Sequence, residues 1–246
     1  QLGREVALKF VLNKHQNTGF ERMLRREAER TSHLTHDNVV QVYSLHSLGS
    51  VTFYAMELVE GEDFHDRLLQ APTLKKTEII RIIIEAARGL EAAHKLDLIH
   101  RDIKPRNILI ARDGRIKLAD FGIASTQEEI RSKSGNKAVV GTIGFMSPEQ
   151  ARGEALTTAS DLYSLTATLY FGLTRKLIFR KMKTTVDLLE ENAKGALQLS
   201  TDFLKEEDPA LVAFVKRGLS PNPAKRFLNA THFREELEKV LFRSSD

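Results

Sequence analysis

The sequence predicts an α+β fold, with strands in the first quarter of the chain and helices in most of the remainder. Over positions 6–11, Val6, Leu8 and Phe10 alternate with Ala7, Lys9 and Val11, as in a strand with both faces partly covered. Positions 39–43 and 51–56 also have strand-like patterns. Positions 77–96 and 162–173 instead carry apolar residues at helical spacing. With 246 residues, the chain can form one large domain or two small lobes.

The composition excludes several classes of protein. A hydrophobic content of 41% and a charged content of 28% are ordinary for a soluble globular chain. The net charge is +4, but lysine and arginine are scattered without interleaved aromatic residues, so nucleic-acid binding is not indicated. No apolar run reaches the roughly 20 residues of a membrane helix, and no signal peptide is visible. The absence of cysteine excludes disulfides and thiolate metal sites, and it fits the cytoplasm.

The N-terminal strand carries a lone lysine, Lys9, among apolar neighbours. Such a lysine usually points to water at a sheet edge, but its ammonium is also suited to phosphate oxygens. Thr18 and Glu21 have capping-box spacing, which predicts a charged helix from there to about residue 34. Two further strands follow, joined by a turn at Gly49 and Ser50, and the sheet ends over 56–61.

The remaining elements are predicted to be mostly helical. The apolar face of 77–96 is too wide for a surface helix, so we expect it to be buried, with His94 as a packing residue. Ser147 is expected to cap a short helix that has Pro148 first and Gln150 three residues after the cap. Asp161 is a candidate cap for the helix over 162–173. Asp208 with Pro209 starts another helix, and either Asn229 or Thr231 starts the last one.

Residues 98–122 carry the chemistry of the chain, through Asp102, Lys104, Asn107 and Asp120. Carboxylate and amide oxygens suit Mg²⁺, a lysine can neutralise phosphate charge, and a second carboxylate can orient an attacking hydroxyl. Asp113-Gly114 between two apolar runs predicts a hairpin that brings Asn107 near Asp120. For any one of these residues alone, a surface hairpin whose acidic groups face water is the favoured explanation. The ordered set favours phosphoryl transfer.

This ordered set resembles the catalytic loop and metal-binding triplet of eukaryotic-type serine/threonine protein kinases. The resemblance rests on His100-Arg101-Asp102, Lys104, Asn107 and Asp120-Phe121-Gly122, and it extends over essentially the whole chain. The amino-acid sequence of residues 141–153 most closely resembles that of the bacterial branch of this family. The resemblance implies a bilobal fold, with a small antiparallel-sheet lobe in 1–58 and a mainly helical lobe in 59–246.

The resemblance also implies a role for each catalytic residue. Asp102 would orient the substrate hydroxyl and accept its proton, and Lys104 would neutralise the transferring phosphoryl group. Lys9 would grip phosphate and pair with Glu27, and Thr142 would contact the catalytic aspartate and lysine. The implied metal ligands are Asn107 and Asp120, which would hold Mg²⁺, with Mn²⁺ as an alternative.

The same resemblance places ATP between the lobes. The backbone of Glu57 and Val59 would bind adenine, Met56 would stand at the back of the pocket, and Leu109 would pack beneath the base. Ala7 is the further implied nucleotide contact. Asp63 has two competing roles of equal weight: binding the ribose hydroxyls and capping the helix around 64–69.

Regulation is implied by Arg101 beside the catalytic aspartate, because a buried arginine requires an anion. The polar stretch 123–140 would be the activation segment, with Thr126, Ser132 and Ser134 as candidate phosphorylation sites. Protein substrates are expected, including a second copy in a homodimer that phosphorylates itself. In this interpretation Asp161 holds the catalytic-loop backbone, and Glu149 forms a structural pair with Arg226.

The chain departs from the family pattern at its start, since no G-x-G-x-x-G loop and no first strands occur in it. We therefore expect weak ATP binding and poor transfer from this chain alone. The alternative function is a pseudokinase or scaffold on the same fold. A small-molecule phosphotransferase is disfavoured by Thr142 and by Pro148-Glu149, which resemble peptide-docking elements. Residues 174–179 also lack the expected glycine- and proline-rich turn.

Overall fold

A computed structural model of the chain describes residues 3, 5–12, 29–48, 51–71, 73–121, 143–179, 184–195 and 197–243. The predicted α+β class is confirmed: two small antiparallel sheets accompany a mainly helical part. Two of the proposed catalytic residues, Glu27 and Thr142, lie outside the described residues. So do Gly122 and the candidate phosphorylation sites Thr126, Ser132 and Ser134.

The first sheet contains β1 (Val6–Leu12), β2 (Val42–Leu48) and β3 (Val51–Glu57) in the order β1-β3-β2. The predicted strand start at residue 39 is wrong, because the strand begins three residues later. Val39 instead forms a parallel bridge with Leu118, and the Val40 N–H donates to the Leu118 carbonyl at 2.8 Å. The apolar residues Val39 and Val40 are therefore buried against the second sheet.

The second sheet contains β4 (Gly61–Asp63), β5 (Ile108–Ala111) and β6 (Ile116–Leu118) in that order. The predicted hairpin is confirmed: β5 pairs antiparallel with β6, and Gly114 turns the chain with a φ of 86°. A left-handed φ of this kind favours glycine. The hairpin thus returns the chain from Asn107 to Asp120, as its sequence indicates.

Several helices lie where the sequence predicts them. Residues 29–32 are also helical. The helices are α1 (Phe64–Gln70), α2 (Lys76–His94), α3 (Pro148–Arg152), α4 (Thr158–Thr174), α5 (Thr185–Lys194), α6 (Thr201–Glu206), α7 (Pro209–Gly218) and α8 (Ala230–Arg243), with 3-10 turns at Pro105–Asn107 and Pro223–Lys225. Helix α4 begins before the predicted residue 162, and α5 and α6 were not predicted.

The core is centred on α2 and α4. Ile80, Ile83 and Leu90 of α2 are fully buried, which confirms the prediction from their spacing. Helix α4 is buried nearly all round, including its hydroxyl residues. Three of its buried hydroxyls are satisfied within the helix, because Ser164, Thr166 and Thr168 each donate to the carbonyl four residues earlier, at 3.2, 2.7 and 2.8 Å. The buried hydroxyl of Tyr163 has no hydrogen-bond partner within the described residues.

Side chains set several helix starts. Asp208 accepts from the Ala210 N–H at 2.7 Å, and Asn229 accepts from the His232 N–H at 2.8 Å, so Asn229 begins the last helix. Asp161 does not cap α4, because that helix already begins at Thr158, where the Thr157 N–H donates to Ser160 Oγ at 3.2 Å. Within the described residues, every helix is too short or too polar to cross a bilayer.

Candidate active site

The centre of the candidate site is the carboxylate of Asp102. Lys104 Nζ lies 2.8 Å from its Oδ2 atom, and Asn107 Nδ2 donates to the same oxygen at 3.0 Å. The Asn107 amide also donates to the Asp102 carbonyl at 2.7 Å. Both members of the ion pair are half-buried, with side chains 21% and 28% exposed. One carboxylate oxygen is thus fixed by two donors.

The backbone on either side of this site is strained. Arg101 has a φ of 68° and Asp120 a φ of 65°, although neither is glycine. Such left-handed residues cost on the order of 1–3 kcal/mol each and persist only where their surroundings hold them. The strain therefore marks the residue before Asp102, and Asp120 itself, as positions whose geometry is imposed by other contacts.

Asp161 supplies the contacts that hold the first of these positions. Its buried carboxylate accepts from the His100 N–H at 2.8 Å and from the Arg101 N–H at 2.9 Å. His94 Nε2 lies 2.9 Å from the same carboxylate. The His94 side chain is only 8% exposed, which fits its predicted packing role, but its ring also has a polar partner. The arrangement agrees with the expectation that Asp161 holds the loop backbone.

His100 connects this loop to the strand that leads to Asp120. Its ring is fully buried, its Nε2 lies 2.9 Å from the Ala119 carbonyl, and its Nδ1 accepts from the Asp102 N–H at 3.3 Å. Burial lowers the pKa of His100, and nearby acidic groups only partly oppose this effect. A neutral ring with its proton on Nε2 satisfies both contacts. The geometry therefore supports a structural role.

Asn107 and Asp120, the two expected metal ligands, meet at the open end of the hairpin. The Ala119 N–H donates to the Asn107 carbonyl at 2.9 Å, which closes the hairpin beside Asp120. Lys9 Nζ lies 2.7 Å from Asp120 Oδ1, so β1 contributes a cation to this group. The Asn107 side-chain nitrogen is directed at Asp102 and leaves the amide oxygen as an acceptor. Amide and carboxylate oxygens of this kind fit a hard divalent cation.

The expected adenine contacts lie at the end of the first sheet. Ala7 is opposite Met56 in the ladder between β1 and β3, and Glu57 is the last residue of β3. Val59 follows before β4, and Leu109 is opposite Asp63 in the second sheet. Lys117, opposite Leu109 in the second sheet, lies 3.0 Å from Glu57, so the end of β3 is beside that sheet, whereas nucleotide binding there remains a prediction.

Asp63 makes the contact expected of a helix cap. Its Oδ1 atom accepts from the Asp66 N–H at 2.8 Å at the start of α1. Its Oδ2 atom lies 3.4 Å from the guanidinium of Arg106. The capping role is therefore observed, whereas binding of the ribose remains a prediction.

Glu149 and Arg226 form the predicted structural ion pair. Arg226 donates to the two carboxylate oxygens at 2.7 and 2.9 Å, and both side chains are almost fully buried. Burial alone would raise the pKa of Glu149, but the hydrogen bonds and charge of Arg226 outweigh it and hold that pKa below its ordinary value. The pair fastens α3 to the chain just beyond α7.

Three contacts near the site could not be inferred from the sequence. Lys117 Nζ lies 3.0 Å from Glu57 Oε2, the Gln150 side chain donates to the Arg101 carbonyl at 2.7 Å, and Asn192 Nδ2 donates to the Met146 carbonyl at 2.9 Å. Asn192 alone had a detectable signal, because it lies four residues after buried Leu188 on the inner face of α5.

The comparisons with known proteins agree with this geometry. The family model described as "Protein kinase domain" matches residues 1–236. A probable serine/threonine-protein kinase of Clostridium acetobutylicum is 32% identical over 97% of this chain and 36% of its own length. One of Streptomyces coelicolor is 31% identical over 98% of this chain and 37% of its own length. The serine/threonine-protein kinase PrkC of Bacillus subtilis is 34% identical over 85% of this chain and 30% of its own length.

The chain therefore spans about a third of the length of these relatives, between 30% and 37%, although each of them covers most of the chain. The similarity concerns one catalytic unit that lies within larger proteins.

Proposed function

Because this chain belongs to the protein kinase domain family, we propose that the protein carrying it transfers the γ-phosphoryl group of ATP to serine and threonine hydroxyls of proteins. The observation that carries the proposal is the environment of Asp102. Its carboxylate lies between an ammonium and an amide, and the Ala119–Asn107 backbone bond brings Asp120 to the same place. This is the set of groups that phosphoryl transfer requires.

Asp102 would act on the attacking hydroxyl. Its Oδ2 atom is held by Lys104 and Asn107, which orients the carboxylate toward an incoming hydroxyl group. The carboxylate would align the hydroxyl and accept its proton as the oxygen bonds to the γ-phosphorus, while the bond from that phosphorus to the β,γ-bridging oxygen breaks and ADP leaves. Lys104 would offset the negative charge on the transferring group. Asp102 would thus act on the attacking hydroxyl and Lys104 on the transferring phosphoryl group, and both residues lie in one loop.

Asn107 and Asp120 would bind the divalent cation that accompanies ATP, and Mg²⁺ is the proposed ion, with Mn²⁺ as an alternative. When bound, the cation neutralises charge on the phosphate oxygens. Lys9, whose ammonium now lies beside Asp120, would turn toward the phosphates. The cation would then partly replace Lys9 as the partner of Asp120. Glu27 is the proposed partner that would position Lys9, and Thr142 would contact Asp102 and Lys104.

The nucleotide would lie between a sheet lobe over 1–58 and a helical lobe over 59–246. Ala7, Met56 and Leu109 would contact the base, and the backbone of Glu57 and Val59 would hydrogen-bond to it. The support is that Lys117 Nζ, on the residue opposite Leu109 in the second sheet, lies 3.0 Å from Glu57 Oε2 at the end of the first sheet. We place the activity in the cytoplasm, since a chain without cysteine fits a reducing compartment.

The proposed substrates are proteins, including a second copy of the same protein. Thr126, Ser132 and Ser134 are the candidate acceptors within this chain, and a phosphate there would pair with Arg101. Arg101 is exposed in the structure and not buried as expected from the sequence. The three relatives described above are named serine/threonine-protein kinases, which supports serine and threonine as the proposed acceptor residues.

The test is phosphate incorporation by the full-length protein with ATP and Mg²⁺, measured by intact mass and on a protein substrate. Asp102→Asn should lower the rate roughly 100-fold or more, because it removes the general base. Asp113→Asn is the matched control: it makes the same chemical change at an exposed position of the hairpin. Equal rates for Asp102→Asn and Asp113→Asn would refute the proposed role of Asp102, and no incorporation by the unsubstituted protein would refute the function.

A further inference from the structure

We propose that Gln150 is a positioning residue for Asp102, acting through the carbonyl group of Arg101. The proposal rests on the proposed phosphoryl transfer and goes beyond it. Gln150 Nε2 donates to the Arg101 carbonyl at 2.7 Å, although the two residues are 49 positions apart. That carbonyl belongs to the peptide bond whose nitrogen is the Asp102 N–H. A donor on it therefore fixes the plane of the peptide that carries the proposed general base.

Arg101 requires this kind of restraint on both sides. Its φ of 68° is unfavourable for a residue with a Cβ atom, so the loop would relax to another conformation if it were free. Asp161 restrains the N-terminal side by accepting from the His100 and Arg101 N–H groups. Gln150 restrains the C-terminal side, next to Asp102. The left-handed turn is thus held from two different helices, α4 and α3.

The place of Gln150 in α3 gives the contact its functional meaning. The Gln150 N–H is used in the helix cap, where it donates to Ser147 Oγ at 3.4 Å, and its side-chain amide reaches across to the loop. Helix α3 follows directly on the buried segment 143–147. Gln150 is therefore a direct contact between helix α3 and the catalytic loop, next to Asp102.

The space around the contact supports the same conclusion. A cavity of about 10 Å³, lined by Asp102, Met146 and Gln150 among others, lies beside the contact. This is room for about one water molecule. A shorter side chain at position 150 would enlarge the cavity and admit more water beside Asp102. Gln150→Met fills nearly the same volume, so it removes the donor without enlarging the cavity.

The experiment compares steady-state kinetics of the full-length protein with those of Gln150→Met and Gln150→Glu. We expect kcat to fall about tenfold in the methionine variant, the rate equivalent of losing one hydrogen bond. The glutamate variant should fall at least as far, because its carboxylate faces a carbonyl oxygen. The KM for ATP should stay close to that of the unsubstituted protein, since Gln150 is not among the proposed nucleotide contacts. The Tm should fall by only a few degrees, because one hydrogen bond is lost.

Two further variants separate positioning from simple support of the fold. Gln70→Met makes the same change at the exposed end of α1 and should leave kcat unchanged. Asn192→Asp weakens the support of segment 143–146, where the Asn192 amide donates to the Ile143 and Met146 carbonyls, without touching the catalytic loop. It should change Tm and the KM for the protein substrate more than kcat.

The outcomes distinguish this inference from the proposed function. Normal kcat in Gln150→Met, with active unsubstituted protein, would overturn the positioning role and leave the function standing. A loss in Gln150→Met that matches Asn192→Asp in Tm and substrate KM would also overturn it, because it would indicate support of α3 alone. Absence of transfer by the unsubstituted protein would overturn the function and this inference together.

Discussion

The buried pair of Glu149 and Arg226 allows a sharp prediction about stability. Arg226 makes hydrogen bonds to both carboxylate oxygens and to the carbonyls of Ala159, Ser220 and Pro221. Arg226→Met removes all of them and leaves a buried carboxylate with Ser160 as a remaining donor. Removing one partner of a buried pair costs about 3–5 kcal/mol. For a chain of this size, that loss lowers Tm by roughly 6 to 20 °C.

The assay is urea unfolding at neutral pH, followed by circular dichroism, with the free energy of unfolding as the measured quantity. The matched control is Arg115→Met, whose guanidinium lies 2.7 Å from Asp113, the same distance as in the buried pair. Both side chains of that pair are more than half exposed, so its loss should leave the free energy of unfolding nearly unchanged.

A double variant tests the reason for the loss. Glu149→Leu combined with Arg226→Met removes both charges, so no unpaired charge stays buried. We expect this variant to lose clearly less stability than the sum of the two single variants. A loss below about 1 kcal/mol for Arg226→Met alone would refute the reasoning, because such a value is typical of exposed pairs.

Two more predictions follow from the same contacts. Because Arg226 holds the pKa of Glu149 below its ordinary value of 4.5, the pair should stabilise the fold at neutral pH and lose this contribution as pH falls below about 4.5. In Arg226→Met, burial should instead raise the pKa of Glu149, so the variant should lose less stability on acidification than the unsubstituted protein. Parallel curves of unfolding free energy against pH for the two proteins would contradict this prediction. Asp161→Asn places an amide N–H group against the backbone N–H donor of His100 or Arg101. This variant should therefore lower the free energy of unfolding by about 1–3 kcal/mol and also lower kcat. Gln70→Met is the control and should leave kcat unchanged. Unchanged kcat in Asp161→Asn would contradict the second prediction.

Much of the fold could be predicted from local patterns. The wide apolar face of α2, the Asp113-Gly114 turn and the caps at Ser147 and Asp208 depend on residues close together in the chain, and each is observed. The strand start at Val39 was wrong because composition does not show which partner a short apolar run will meet. Val39 and Val40 meet β6, a strand nearly 80 positions later.

The contacts of the candidate site likewise include local ones, which follow from the sequence, and distant ones, which do not. Asp102, Lys104 and Asn107 lie within one short loop, so their contacts follow from the sequence. The Gln150 and Lys117 contacts join residues 49 and 60 positions apart, and no local pattern marks either residue. Asp161 was assigned both as a cap and as a support of the loop. Only the structure decides, because the cap position is already taken by Thr157.

The segment 38–41 has a mechanical consequence. Its backbone is bonded to Leu118 in both directions at 2.8 Å, and the Asn38 side chain donates to the Ile116 carbonyl at 2.9 Å. The Gly89 position of α2 approaches so closely that an added Cβ would lie 2.6 Å from the Asn38 carbonyl oxygen. The first sheet therefore cannot slide along the second without breaking these contacts of segment 38–41. We expect any opening between the two sheets to be a rotation about this segment, which would separate Lys9 from Asp120 and leave the loop around Asp102 intact.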